Sequence, residues 1–174
     1  MFDVLIIGGG ASGMSCALVL GSAKDHVCAR AKKIGLIAHQ KTSHLQNALF
    51  NNVLGLTPGT TGASILESGK KQLHSLYPHV QQIDTEKVTE ILRTEHGFLV
   101  KTNKTEYSAK LVVVAVGYTN LFTIKGLDSY VAGTLAGWRS QFAIACGSGA
   151  QVATDILTLW NNGEHVKIHD KVVV

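Results

Sequence analysis

The chain has 174 residues, of which 45% are hydrophobic and 16% charged; that is enough for one domain with a substantial core, and it excludes a disordered chain. The net charge of +4 is scattered, with only the short pairs Lys32-Lys33 and Lys70-Lys71 and no basic stripe interleaved with aromatics, which argues against a nucleic-acid partner. Cys16, Cys28 and Cys146 form no paired spacing, which argues against a disulfide scaffold and suits a reducing, cytoplasmic setting. The N-terminus lacks the basic start and longer apolar region of a signal peptide, and no apolar run approaches the ~18 residues that cross a bilayer.

In chain order, Val4 to Ile7 is a continuous apolar run, as expected of a strand buried on both faces of a parallel sheet. Glycines follow, then a helical pattern from about Ala11 to Leu20. A polar, basic segment from Gly21 to Lys33 delays the second apolar strand, Ile34 to Ala38. His39 to Gly62 has no sustained period and is rich in Thr, Asn and Gly, so it is expected to be a long loop, of the kind that is functional when it occurs in a compact domain. A helix is expected from about Ala63 to Leu76, closed by Tyr77-Pro78. Val80 to Ile83, Glu86 to Thr94, Phe98 to Thr102 and Glu106 to Ala109 have the pattern of short strands, with turn signals at His96-Gly97 and Asn103-Lys104. The last three, joined by those turns, suggest an antiparallel meander inserted into an otherwise parallel sheet. Leu111 to Ala115 is another fully buried strand, a short strand is expected near Tyr130 to Ala132, and a last helix runs from about Phe142 to Trp160. No internal repeat or linker divides the chain.

Gly8-Gly9-Gly10-Ala11-Ser12-Gly13 follows the first strand and opens the first helix, with the G-x-G-x-x-G spacing at Gly8, Gly10 and Gly13. Gly8 allows the sharp turn, Gly10 the approach of the backbone to a pyrophosphate, and Gly13 the close packing of helix on strand. The free N–H groups and positive end of the helix, at Ala11, Ser12 and Gly13, suit an anionic phosphate. A dinucleotide site is the functional reading, and a Rossmann-like turn that has lost its ligand is the plain alternative. The acidic residue that usually ends the second strand and binds the ribose hydroxyls is missing, for the strand ends in His39-Gln40-Lys41. His39 or Gln40 can hydrogen-bond a ribose and Lys41 can meet a 2′-phosphate; equally, all three can be ordinary loop residues.

With these landmarks in place, the chain resembles the FAD-binding domain of thioredoxin reductase-like flavoproteins, in the pyridine nucleotide-disulphide oxidoreductase family, over nearly its whole length. Gly8 to Gly13 matches the family's pyrophosphate loop. Asn52-Val53-Leu54-Gly55-Leu56, then Gly62-Ala63 and a helix, resembles its Asn-Phe-Pro-Gly stretch, which implies a place near the flavin for Asn52. Val112-Val113-Val114-Ala115-Val116-Gly117 resembles the Ala-Thr-Gly strand end lying against FAD, and the preceding meander stands where the family has its three-stranded crossover. Val131-Ala132-Gly133-Thr134, Ser140-Gln141 with Phe142, and Ala145-Cys146-Gly147-Ser148-Gly149 resemble the C-terminal flavin-binding segment. The resemblance implies an α/β fold with a Rossmann-like parallel sheet and an inserted antiparallel three-stranded β-meander, residues 1–174 forming a single FAD-binding domain.

Departures from the family's pattern shape the functional expectation. Only Tyr118 to Tyr130 fills the interval where the family carries its NADPH-binding domain, too short for a βαβ unit of ~30 residues. There is no second glycine fingerprint and no Cys-x-x-Cys, so the chain is not expected to be a true thioredoxin reductase. Thr134 replaces the Asp that binds the ribityl chain. The expected function is an FAD-dependent oxidoreductase that takes electrons from a redox partner protein, from free NAD(P)H or from a small donor. The alternatives are a non-catalytic FAD-binding module and, ranked last, NAD(P) in the same cleft with Lys41 near its ribose.

The remaining candidates have plain readings. Cys146, near the start of the last helix, is expected to fill a tight contact more than to react; Cys16 belongs to the core, and Cys28 lies in the basic segment with no chemistry expected. His39, His44, His74, His79 and His96 show no metal-ligand spacing; of these, the loop bearing His44 comes nearest the flavin. Trp138 and Arg139 are expected in packing or at an interface, and the tail from Lys171 to Val174 could add an edge strand in a homodimer.

Overall fold

A computed structural model describes residues 1–39, 44–117, 130–137 and 141–168, with the side chains of His44 and Thr134 left aside. Strand β1 (Phe2–Ile7) leads to helix α1 (Ala11–Ser22), then β2 (Ile34–Ala38). A 3₁₀ turn (His44–Asn47) and the two-residue strands β3 (Leu49–Phe50) and β4 (Thr60–Thr61) precede helix α2 (Gly62–Leu76). Strands β5 (Val80–Asp84), β6 (Val88–Thr94), β7 (Gly97–Thr102) and β8 (Glu106–Val114) come next. The short β9 (Tyr130–Val131), a 3₁₀ turn (Gly133–Ala136) and helix α3 (Phe142–Trp160) follow.

The main sheet runs β5-β2-β1-β8-β7-β6, with β9 also on β8. Strands β5, β2, β1, β8 and β9 pair in parallel, and β6, β7 and the start of β8 form the antiparallel meander. Val80 to Ile83 forms the parallel edge beside β2, outside the three-stranded meander. The expected fold class is therefore the observed one, with one correction. Glu106 to Ala109 and Leu111 to Val114 are one strand, and Ala115 lies just beyond it. Lys110 stands between the two runs, and its ammonium leaves the sheet to meet Asp3 Oδ1 on β1 at 2.9 Å. The strand thus changes partner, from β7 to β1, without interruption.

The expected long loop is partly ordered. Leu49 pairs with Thr61 and Phe50 with Thr60, and the Gly62 N–H donates to the Ala48 carbonyl at 2.8 Å. Thr61 Oγ1 caps α2 by accepting from the Ser64 N–H, which satisfies one of the free donors of the first turn.

Alternate residues of β1 serve two cores, one on each face of the sheet. Val4 and Ile6 pack with Leu20, Ile156 and Leu157 under the helices, while Leu5 and Ile7 pack with Phe98 and Val100 of the meander. Helix α1 is apolar nearly all round because it lies between the sheet and its neighbouring helices. The basic segment after it is held down by Lys32 over the Trp160 ring and Lys33 over the Phe2 ring, at 5.3 and 4.9 Å. Helix α3, at 19 residues and mean hydropathy 1.3, is long and apolar enough to cross a bilayer although it holds no continuous apolar run of that length. Its Val152, Ala153, Ile156 and Leu157 are instead buried in the helix-side core.

Cys16 is fully buried, and that burial pushes its thiol from 9.0 up to about 12. Below 9.0 the thiol is protonated folded or unfolded; above it the unfolded chain ionises first. Stability should therefore fall as pH rises from 9.0 toward about 12. Urea midpoints compared across that window should fall less for Cys16→Ala than for the parent chain.

Candidate functional site

The site is built where three chain segments converge at the C-terminal ends of the parallel strands. Gly8 ends β1 with φ +110°, and its N–H donates to the Ile37 carbonyl at 2.9 Å. A β-carbon at Gly8 would collide with the Ala115 carbonyl, and one at Gly13 with the Gly8 carbonyl. Only a chain bare at both positions brings the first turn of α1 this close to the strand ends. Gly10 is the N-cap of α1, and no side chain caps that turn. With Met14 N–H donating to the Gly10 carbonyl at 2.9 Å, the helix begins in regular form and its first N–H groups point out beyond Gly10.

The second segment is the end of β8. The Ala115 N–H donates to the Ile7 carbonyl at 2.8 Å, Val116 follows, and Gly117 turns the chain at φ +70°. The third is β9 and the turn after it. The Ala132 N–H donates to the Val114 carbonyl at 3.1 Å, and Gly133 sits at φ +74°, followed by Thr134. The Gly133 N–H donates to Ser148 Oγ at 3.0 Å in a buried contact. A β-carbon at Gly133 would strike Ser12 Oγ, and one at Gly149 would strike the Ser12 carbonyl. Ser12, Gly133, Ser148 and Gly149 thus form a tight junction between α1, β9 and α3.

The structure therefore brings Gly8, Gly10, Ala11, Ser12, Gly13, Ala115, Val116, Gly117 and Gly133 to one sheet end. His39 is the next residue after β2, and its Nδ1 is a buried atom with no hydrogen-bond partner among the described residues. Gln141 is the N-cap of α3. Phe142 begins that helix with its ring 5.1 Å from that of Phe50, a contact tying the loop strand β3 to α3. Asn52 is exposed in a turn; its neighbour Asn51 ties the loop, accepting from the Gly59 N–H at 2.8 Å. Gln40, Lys41, Trp138, Arg139 and the tail from Lys171 lie outside the described residues, as does the side chain of His44. Ser148 and Gly149 act as the latch of the junction, a role that a serine between glycines does not announce in sequence.

A cleft of about 330 Å³ opens beside Gly10 and Ala11, bounded by Phe142 and Cys146 at the start of α3. Burial pushes the Cys146 thiol above its usual range, which agrees with the packing reading and opposes a neutral-pH nucleophile. Cys28 is half-buried with its Sγ 3.0 Å from His26 Nδ1, beyond the far end of α1 from the glycine turn. Among the described residues, no three His, Cys, Asp or Glu side chains gather as metal ligands.

The sequence profile described as pyridine nucleotide-disulphide oxidoreductase matches residues 2–150. The chain belongs to the pyridine nucleotide-disulphide oxidoreductase family. Over 176 residues it is 25% identical to a ferredoxin–NADP reductase of Leuconostoc mesenteroides, covering 95% of this chain and 51% of that protein. A ferredoxin–NADP reductase of Streptococcus pyogenes is 24% identical over 179 residues, with 96% and 53% covered. The chain thus spans about half the length of the curated relatives it matches. Among solved structures, an oxidoreductase from Agrobacterium tumefaciens is 26% identical with a TM-score of 0.57, covering 80% of this chain and 42% of that one. A thioredoxin reductase from Gloeobacter violaceus aligns over 99% of both chains with a TM-score of 0.72; at 13% identity that likeness is one of fold.

This family member's glycine turn and its Gly133–Ser148 junction fit an adenine dinucleotide: an uncapped helix start for the pyrophosphate, glycines that admit close backbone approach, and a buried, unpartnered imidazole nitrogen at the end of β2. Removing the Ser148 hydroxyl leaves the buried Gly133 N–H without its acceptor. Ser148→Ala should cost about 1–3 kcal/mol, read from urea unfolding.

Proposed function

We propose that this chain is an FAD-binding domain that holds the cofactor noncovalently across the C-terminal edge of its parallel strands and works as a cytoplasmic oxidoreductase, with only residues 118–129 in the interval where the family carries its NADPH-binding domain. The observation that carries the reading is the uncapped first turn of α1, set against the strand ends by Gly8 and Gly13. The N–H groups of Ala11, Ser12 and Gly13 would hold the pyrophosphate, with Gly10 admitting close approach. His39 Nδ1 and Gln40 would serve the adenosine ribose, in place of the usual acid. Ala115, Val116 and Gly117 would lie along the cofactor, Gly133 and Thr134 at the ribityl chain, and Asn52, Gln141 and Phe142 toward the flavin ring.

When bound, FAD supplies the electron-transfer chemistry, so the chain's residues need only bind, orient and exclude water. Ser12 and Ser148 keep the helix starts in register, and the Phe50–Phe142 ring contact covers the loop end of the site. Burial raises the Cys146 thiol pKa, which favours a packing role for it. Electrons would come from a redox partner protein, from free NAD(P)H or from a small donor. A non-catalytic FAD-binding module is the second reading. It is favoured by His39 and Thr134 standing where the family has its two acidic FAD contacts.

The visible spectrum of freshly purified protein, with the released chromophore identified, tests the proposal. Stoichiometric FAD is expected; a colourless protein that takes up no added FAD would overturn it. Placing the usual carboxylate at the end of β2 should tighten the adenosine end. His39→Glu is expected to lower the Kd for FAD roughly tenfold, about 1.4 kcal/mol, by equilibrium titration of flavin-depleted protein.

A further inference from the structure

The basic segment between α1 and β2 takes no part in the dinucleotide site. It is stitched across the opposite end of the molecule, where the parallel strands begin. Lys24 Nζ donates to the Leu76 carbonyl at the end of α2, at 3.3 Å, and Lys32 lies over the Trp160 ring at the end of α3. The Lys33 N–H donates to Asp3 Oδ2 near the start of β1, at 2.9 Å. Residues 23–33 therefore cross this end of the fold from α2 to the sheet, held at both sides.

The turns of the segment sort its side chains. The His26 N–H donates to the Ala23 carbonyl at 2.8 Å, and the Arg30 N–H to the His26 carbonyl at 2.9 Å. Ala23 and Ala29 are thereby buried in the helix-side core, while Lys24, Val27, Arg30 and Lys33 are exposed. Among the described residues, Lys24, Arg30 and Lys33 pair with no carboxylate. Asp25 is the segment's one acid, against four basic residues. Val27 is 68% exposed among these cations, and Leu76, beside Lys24, is also exposed.

Two features select an occupant. Cations without partners suit an anionic surface, and exposed apolar side chains among them suit one that is apolar just below its charge, as a bilayer is at its headgroup boundary. A soluble polyanion meets the charges and leaves Val27 and Leu76 in water. Residues 23–33 also hold no aromatic on which a nucleic-acid base could stack. We propose that this face docks on the headgroup region of a bilayer rich in anionic phospholipid. Lys24, Arg30 and Lys33 meet the phosphates, and Val27 enters the boundary below them. This is reversible surface association, distinct from a membrane span, and it does not depend on the FAD reading. Lys33 lies over the Phe2 ring at one end of β1, and Gly8 follows Ile7 at the other, so the docked protein keeps its glycine turn toward water.

The test is sedimentation of the purified protein with vesicles of equal parts phosphatidylglycerol and phosphatidylcholine, against vesicles of phosphatidylcholine alone. Binding to the anionic vesicles is expected to be roughly tenfold tighter and to fall as salt is raised. Arg30→Glu combined with Lys33→Glu should weaken it roughly tenfold, with the far-ultraviolet circular dichroism unchanged. Val27→Ser should weaken it and Val27→Trp strengthen it, each roughly threefold, and neither should alter retention on heparin, a soluble polyanion. No binding, equal binding to both vesicles, or binding indifferent to the charge reversals would overturn the proposal. Binding to anionic vesicles that ignores both changes at Val27 would overturn it too, and would assign the face to a soluble polyanion.

Discussion

Everything at the functional end of this protein depends on one backbone contact. The first turn of α1 lies directly on the tips of β1 and β8, because neither Gly8 nor Gly13 carries a β-carbon and neither position has room for one. Helix α3 repeats the device from the other side, with Gly149 against the Ser12 carbonyl. The body of α3 is thereby packed against the first turn of α1, whose oriented N–H groups supply a fixed positive potential at the strand ends without any charged side chain. The sheet and its two cores exist, in this sense, to hold a short run of peptide groups still.

Much of the fold was legible because it rests on periodicity. A run such as Val4 to Ile7, apolar without alternation, has one good solution, a strand covered on both faces, and β1 has it. Strands with mixed surroundings were harder. In β8 the pattern alternates while one face meets solvent and then turns uniformly apolar, so a single strand looks like two, and Lys110 in the middle strengthens the impression until Asp3 on the neighbouring strand is seen to receive it. Val80 to Ile83 reads as a short strand without a stated partner, and only the crossover through α2, a long-range fact, sends it to the parallel edge.

The site divides the same way. Glycine spacing reports local backbone need, so Gly8, Gly10 and Gly13 could be assigned from sequence alone. The resemblance to a known family contributed Ala115 to Gly117 and Gly133, positions whose composition says little in isolation. The Gly133–Ser148 hydrogen bond joins residues 15 apart across the junction of β9 and α3, and nothing local distinguishes that serine from the many others.

The position of β8 in the sheet has a kinetic side. Its best partner, β1, was synthesised about a hundred residues earlier, as the Asp3–Lys110 pair, 107 apart in sequence, makes plain. Until β8 arrives, β1 has β2 on one edge only, and its other edge and the face destined for the meander stand open. Closing so large a loop carries an entropic cost that local helix formation does not offset, so the central pairing should come late and slowly. During that interval Leu5 and Ile7 are apolar residues on an unpaired edge, the kind of surface that invites pairing with another chain. In this architecture the strand that delivers Ala115 to Gly117 to the glycine turn is also the one that ends the nascent chain's exposure to aggregation.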